Sequence, residues 1–164
     1  DLIDSDTKVK LLNLLSLSAF KMAEGQSIDL SVVSKEVDIG LLNNLHEKKT
    51  GSLLNCSVMF GAILNPYISK KDLSILHSFS NHIGLAYQVQ DDVLDVTTSD
   101  EILGKRQNSD LVKNKPSYPS ILGLDESVKK YESLYREALD EIPFLSVDEK
   151  PLKDLTIKLM NRSF

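Results

Sequence analysis

The sequence has no tryptophan, one cysteine and only 6% aromatic residues in 164 positions, and it carries no excess of positive charge. Each scarcity removes a class of protein. A single cysteine, Cys56, cannot close an internal disulfide, and its apolar setting "LLNCSVMF" predicts a buried thiol in a reducing, cytoplasmic compartment. A net charge of −5 argues against a broad surface for nucleic acid, although a local basic pocket for phosphates stays open. No apolar run approaches the roughly 18–20 residues that a bilayer span needs, because Asn, Ser, Lys or Asp interrupts every candidate. The opening "DLIDSDTKVK" has neither an initiator Met nor a basic region followed by an apolar one, so the expectation is a soluble chain that begins in mid-protein.

What remains is 41% hydrophobic and 26% charged, enough for one domain with a core. Helical periodicity covers most of it, and no stretch alternates in the manner of a strand bounded by tight turns. The fold class expected is all-α. A first helix is predicted from about Thr7 to Glu24, capped by Asp6, stopped by Gly25, and packed through Val9, Leu12, Leu15, Ala19 and Met22. A second should start after Asp38 and end before Asn65-Pro66, with Gly51 and Gly61 inside. An internal glycine costs roughly 0.8–1 kcal/mol against alanine, so close packing or a ligand would explain keeping it. The third opens on Ser69 and Asp72, a Ser-x-x-Asp capping box, and runs to about Val96. A long polar loop, Thr97 to Pro116, precedes two last helices, one through "DESVKKYESLYREALDEI" and one from about Val147 to Met160.

The third helix holds the chemistry. "YQVQDDVLDV", 87–96, is apolar in rhythm yet carries Asp91, Asp92 and Asp95. At 100° per residue Asp91 and Asp95 lie about 40° apart, with Gln88 a turn earlier on the same side, so they are expected to form one polar patch while Val89, Val93 and Val96 face the core. Carboxylates at i and i+4 repel by roughly 0.2–0.5 kcal/mol in an isolated helix, so something should compensate them. Hard oxygen ligands with open positions suit Mg²⁺, held by one or two carboxylates together with substrate phosphates. An Asp-Asp pair is by itself more often a solvated face. Lys49 beside Thr50, then Lys105 and Lys115, supply cations where an anionic ligand could use them. His46, His77 and His82 lack the spacing of a zinc site, and Tyr131 and Tyr135 read as packing residues.

"HEKKTGSLL", "GLAYQVQDDVLDV", "LGKRQNSDLVKNKPSYPSILGL" and "EGQSIDL" resemble, in order and spacing, the C-terminal half of the trans-isoprenyl diphosphate synthases (polyprenyl synthetases), particularly the bacterial farnesyl diphosphate synthase type. The resemblance implies that residues 1–164 are the C-terminal part of one isoprenoid-synthase domain, an all-helical bundle with a central cavity. It implies a Mg²⁺-dependent prenyltransferase that condenses an allylic diphosphate with isopentenyl diphosphate, forming geranyl or farnesyl diphosphate, and a homodimer. By resemblance Asp91, Asp92 and Asp95 are the metal motif, with Asp91 the chief contact. Lys49, Thr50 and Gln88 line the allylic site, Lys105 and Lys115 reach its diphosphate, and Gln26 and Asp29 lie nearer the cavity wall.

Two departures are visible: Asn108 stands where such loops often have Gly, and Lys48 where His is frequent before Lys49. The chain holds one aspartate-rich motif where the family has two, so the expectation is a fragment that is inactive alone. A non-catalytic helical assembly subunit is the alternative. A terpene cyclase is weaker, since no Asn-Ser-Glu-type metal motif is found.

Overall fold

A computed structural model of the chain describes residues 3–101 and 115–162. These residues are helical without any strand among them, as expected. The order is α1 (Ser5–Ser31), α2 (Ile39–His46), a π-helical turn (Glu47–Gly51), α3 (Ser52–Leu64), α4 (Lys70–Glu101), α5 (Tyr118–Leu122), α6 (Leu124–Glu141), a 3₁₀ turn (Ile142–Phe144) and α7 (Lys150–Met160). Lys105 and Asn108 lie outside the described residues.

Helix α4 is the axis of the bundle. Its start is the capping box expected from sequence, with Asp72 N–H donating to Ser69 Oγ at 3.0 Å and Ser69 N–H to Asp72 Oδ2 at 3.2 Å. Phe79, Ile83, Ala86 and Val89 of α4 meet Leu134, Tyr135 and Ala138 of α6 in the core, joined by Leu42, Tyr118 and Ile142. Burying one such side chain is worth roughly 1.5–3 kcal/mol, which holds the two helices together more firmly than any pair of surface charges. Ser78 Oγ donates to Glu141 Oε1 at 2.7 Å and Tyr135 Oη donates to Gln90 Oε1 at 2.8 Å, so α4 and α6 run antiparallel. Tyr131 packs edge-on against Tyr135, as predicted, and Cys56 is buried.

Several expectations need correction. Helix α1 is capped by Asp4, which accepts from Thr7 N–H at 2.9 Å, and it continues through Gly25 to Ser31. Gly25 is buried against the π turn: a Cβ there would lie 2.7 Å from Lys49 Cα and nearer still to its nitrogen, so the glycine serves close approach rather than termination. The stripe expected to pack α1 is partly exposed, Val9 by 55%, Leu12 by 63% and Leu15 by 44%; the covered side runs through Ser18, Gly25 and Asp29. Val96 is 44% exposed, because α4 has left the core by then.

The single helix predicted after Asp38 is interrupted by the π turn, and the expected loop from Thr97 is helical through Glu101. Gly84 of α4 sits 3.0 Å, measured from a Cβ position, from Gly51 Cα, so two glycine contacts let α1, the π turn and α4 converge. Packing explains Gly51 but not Gly61, whose Cβ position meets no atom within 4 Å. The short helix α5 was not anticipated. Its Ser117 and Ser120 cap each other reciprocally.

Candidate functional site

The π turn sets the site. An extra residue in the helical repeat leaves backbone groups off the ordinary ladder and rotates the residues that follow, and such turns are frequent at functional sites. Here it presents Lys49 toward α1 and Thr50 toward α4. Lys49 Nζ donates to Asp29 Oδ2 at 2.6 Å, and Thr50 Oγ1 donates to Gln88 Oε1 at 3.0 Å.

Lys115 arrives at the same acid from another part of the chain, with Nζ 2.9 Å from Asp29 Oδ1 and 3.0 Å from Oδ2. Burial would raise the pKa of Asp29, but hydrogen bonds and charge from Lys49 and Lys115 outweigh it and hold the group below its ordinary value. Lys48 points elsewhere, pairing with Glu24 at 2.8 Å. Gln26 is exposed, so of the two wall residues Asp29 alone enters the cluster.

The aspartates of α4 divide. Asp92 turns inward, its Oδ2 accepting from Tyr118 N–H at 3.0 Å and its Oδ1 from Gln88 Nε2 at 3.2 Å. Burial pushes its pKa up to about 6, helped by the charges of Asp91 and Asp95 and opposed by the two donors. Asp91 is engaged by Arg162, whose Nη2 lies 3.1 Å from Oδ1. Asp95 is exposed, and partial burial of its carboxyl together with Asp91 raises its pKa while Lys115 and Arg162 pull the other way. The lysine cluster and the acid cluster therefore feel each other's fields.

Thr50, Gln88 and Asp92 make a continuous chain of hydrogen bonds between them. His46 lies under this chain, buried, stacked on Tyr118 at 5.6 Å and 3.8 Å from Asp92. Desolvation lowers its pKa to about 4, so the ring is neutral at pH 7, and neither ring nitrogen has a hydrogen-bond partner among the described residues.

Arg162 was missed by sequence reasoning. Beyond Asp91 it donates to Tyr87 O at 2.9 Å and Gln90 Oε1 at 3.0 Å, and its guanidinium covers the Tyr87 ring at 3.7 Å. It lies 71 residues from Asp91 and in no motif. The only signal was the demand that something compensate the acids.

No three His, Cys, Asp or Glu side chains among the described residues converge as a closed metal cage. Mg²⁺ does not require one: it keeps several waters and is commonly held by one or two carboxylates plus phosphate oxygens. Asp91 and Asp95, a turn apart, with burial and then the charge of Asp91 raising the proton affinity of Asp95, fit that donor set. The arrangement can thus hold a polyanion by two lysines on one side and by a carboxylate-bound cation on the other.

Among proteins of known sequence, the chain is 35% identical over 164 residues to farnesyl diphosphate synthase of Escherichia coli (strain K12), covering 98% of this chain and 55% of that protein. It is 36% identical over 164 residues to geranylgeranyl diphosphate synthase of Cyanophora paradoxa, covering 98% and 54%. The chain spans about half the length of the curated relatives it matches. Among solved structures, a geranyltransferase from Helicobacter pylori complexed with magnesium and isoprenyl diphosphate superposes with a TM-score of 0.74 at 28% identity, over 97% of this chain and 51% of that one. The polyprenyl synthetase family model matches residues 1–148, which takes in α1 to α6, the lysine pair and all three aspartates. By that match and by these relatives, the chain belongs to the polyprenyl synthetase family.

Proposed function

We propose that residues 1–164 form the C-terminal part of one isoprenoid-synthase domain, and that the whole protein condenses an allylic diphosphate with isopentenyl diphosphate to give geranyl or farnesyl diphosphate. The observation that carries this reading is a pair of lysines, Lys49 and Lys115, gathered on Asp29 within electrostatic reach of the acid cluster, where the charge of Lys115 acts on Asp95 and Thr50 bonds through Gln88 to Asp92. A polyanion with an apolar tail needs such a two-sided grip. The reading also places the protein in the cytoplasm, for which the buried Cys56 and the absence of a membrane-spanning helix among the described residues are support.

In this reading Lys49, Lys115 and, outside the described residues, Lys105 take the diphosphate as point charges. Asp91 and Asp95 would hold Mg²⁺, with Asp92 beside them anchoring the helix to α5. Bound there, Mg²⁺ supplies Lewis-acid neutralisation of the charge that builds on a leaving diphosphate. Thr50 gives its proton to Gln88, so its oxygen lone pairs are free to face the allylic carbon as the C–O bond breaks and positive charge develops. The double bond of isopentenyl diphosphate then forms the new C–C bond, and the released diphosphate takes the proton lost in restoring the alkene. No protein nucleophile takes part.

The 164 residues alone are expected to bind pyrophosphate without turnover, since they contain one aspartate-rich motif. A chain extended to the relatives' full length, given dimethylallyl diphosphate, labelled isopentenyl diphosphate and Mg²⁺, should release labelled C10 or C15 diphosphate. Absence of any elongated product would end the reading. In that chain Asp91→Ala should lower kcat by at least about 100-fold, the scale of losing a charge-stabilising group, while leaving helicity unchanged. Unchanged turnover would remove Asp91 from its role.

One observation favours a second reading, a non-catalytic assembly subunit. Leu12, Leu17, Phe20 and Leu30 of α1 are each more than 60% exposed, an apolar surface that a second copy or a further part of the domain would cover. In the first reading the same surface supports a homodimer. An assembly subunit would take up no pyrophosphate, which separates the two.

A further inference from the structure

Asp29 is 5% exposed, near the C-terminal end of α1, and two ammonium groups from segments far apart in the chain end on its carboxylate. Because Lys49 and Lys115 both touch Oδ2, at 2.6 and 3.0 Å, their nitrogens lie within about 6 Å of each other, a separation two like charges on flexible stems would not keep unaided. One negative charge against two positive leaves the group with a net charge of about +1, and each ammonium has donors left over after its bond to Asp29. Gly25, one turn earlier on α1, lets the helix backbone press against Lys49, so the root of that side chain is fixed as well as its tip. The cluster therefore has a built spacing and unspent donors.

Resting on the diphosphate reading above, we infer that Asp29 is a positioning residue: it holds Lys49 and Lys115 as a paired clamp whose free N–H groups receive the diphosphate. Asp29 does not touch the ligand. It removes the repulsion and the side-chain freedom that two separate lysines would otherwise lose on binding. A carboxylate that merely tied α1 to the bundle would need one partner. A carboxylate that competed with the ligand would weaken binding by being there, and this is the alternative the test separates.

The test is calorimetric titration of inorganic pyrophosphate, with Mg²⁺, into the 164-residue chain as wild type, Asp29→Ala, Lys115→Ala and the double variant, with circular dichroism on each. Asp29→Ala and Lys115→Ala are each expected to weaken binding about 10-fold, and the double variant to be no more than about 2-fold worse than either, because both remove one clamp. Losses that multiply in the double variant would overturn the inference, as would Asp29→Ala binding as tightly as wild type or more tightly. Should Asp29→Ala fail to fold, Asp29→Asn keeps the shape but removes the negative charge and one of the two acceptor oxygens; weakening of at least about 3-fold supports the clamp and unchanged affinity overturns it. A wild-type chain that takes up no pyrophosphate would overturn the diphosphate reading itself, and the clamp with it.

Discussion

The two ends of α4 put the same side chain to opposite uses. At its start, Asp72 has no exposed surface, yet Oδ1 accepts from Ser146 N–H at 2.8 Å while Oδ2 accepts from Ser69 and from Ser146 Oγ at 2.6 Å. Bonds from Ser146 and then Ser69 hold its carboxyl far below the ordinary carboxylate range. Twenty residues on, Asp92 is nearly as enclosed but has two donors and two acidic neighbours, and burial wins. Burial alone therefore says little about an acid. The supply of donors decides whether it builds the fold or stores unfavourable charge, and a cluster short of donors is where a cation or an anion-bound metal has something to add.

The largest effect should come from breaking the satisfied end. Asp72→Ala leaves the Ser69 and Ser146 donors without their acceptor and releases the segment between α6 and α7 from the start of α4, so Tm should fall by roughly 10 °C in a thermal melt. The sign with pH follows from a folded pKa below the unfolded one: the stabilisation is present above about pH 4 and is lost as pH falls through the folded value. The gap between wild type and variant should therefore narrow on acidification. A variant melting within 2 °C of wild type, by the same conversion of stability into Tm, would show that the bonds at this end count for little.

Asp92→Asn should act with the opposite sign. Its folded pKa, about 6, lies above the unfolded value of 3.8, so its favourable contribution is complete below about pH 4 and is lost as pH rises through 6. Asparagine mimics the protonated form. It offers one acceptor where Tyr118 N–H and Gln88 supply two donors, so the gain at pH 7 should be about 1 kcal/mol rather than the full value of the shift. Urea midpoints at pH 7 and pH 4 measure it: an advantage at pH 7 that disappears at pH 4 sharpens the contrast between the two ends. A loss of stability at pH 7 would break it.

Much of this was legible in the residues, and the reasons for the rest are local. A helix start after Asp38, the Ser69–Asp72 box and the packing role of Tyr131 and Tyr135 are short-range facts that a linear sequence carries directly. Of the residues expected to share one site, Lys49 and Lys115 meet on Asp29, while Thr50 bonds to Gln88. Gly25 was misread because a glycine that stops a helix and one that admits a neighbouring backbone look alike until the neighbour, Lys49, is known. The outward face of α1 was misjudged because its rhythm has apolar residues on more than one side, and only packing decides which is covered. The split between inward Asp92 and outward Asp95 depends on α5, a helix of five residues too short to announce itself.

Arg162 should give the smallest change in stability and the clearest reading of the acid cluster. Its pair with Asp91 is partly exposed, at 17% and 35% of the two side chains, so solvent screens it and the pair itself is worth well under 1 kcal/mol. The stacking on Tyr87 adds a similar amount, and Arg162→Gln should cost about 1 kcal/mol in all. The variant leaves Asp91 and Asp95 to repel each other without the cation paired to Asp91, which makes room for another. Millimolar Mg²⁺ should therefore raise the Tm of Arg162→Gln by more than it raises that of wild type, whereas Na⁺ at matched ionic strength should raise both alike. Equal responses to Mg²⁺ would mean that Arg162 and the cation act on different charges, and that the under-supplied end of α4 is not where the metal sits.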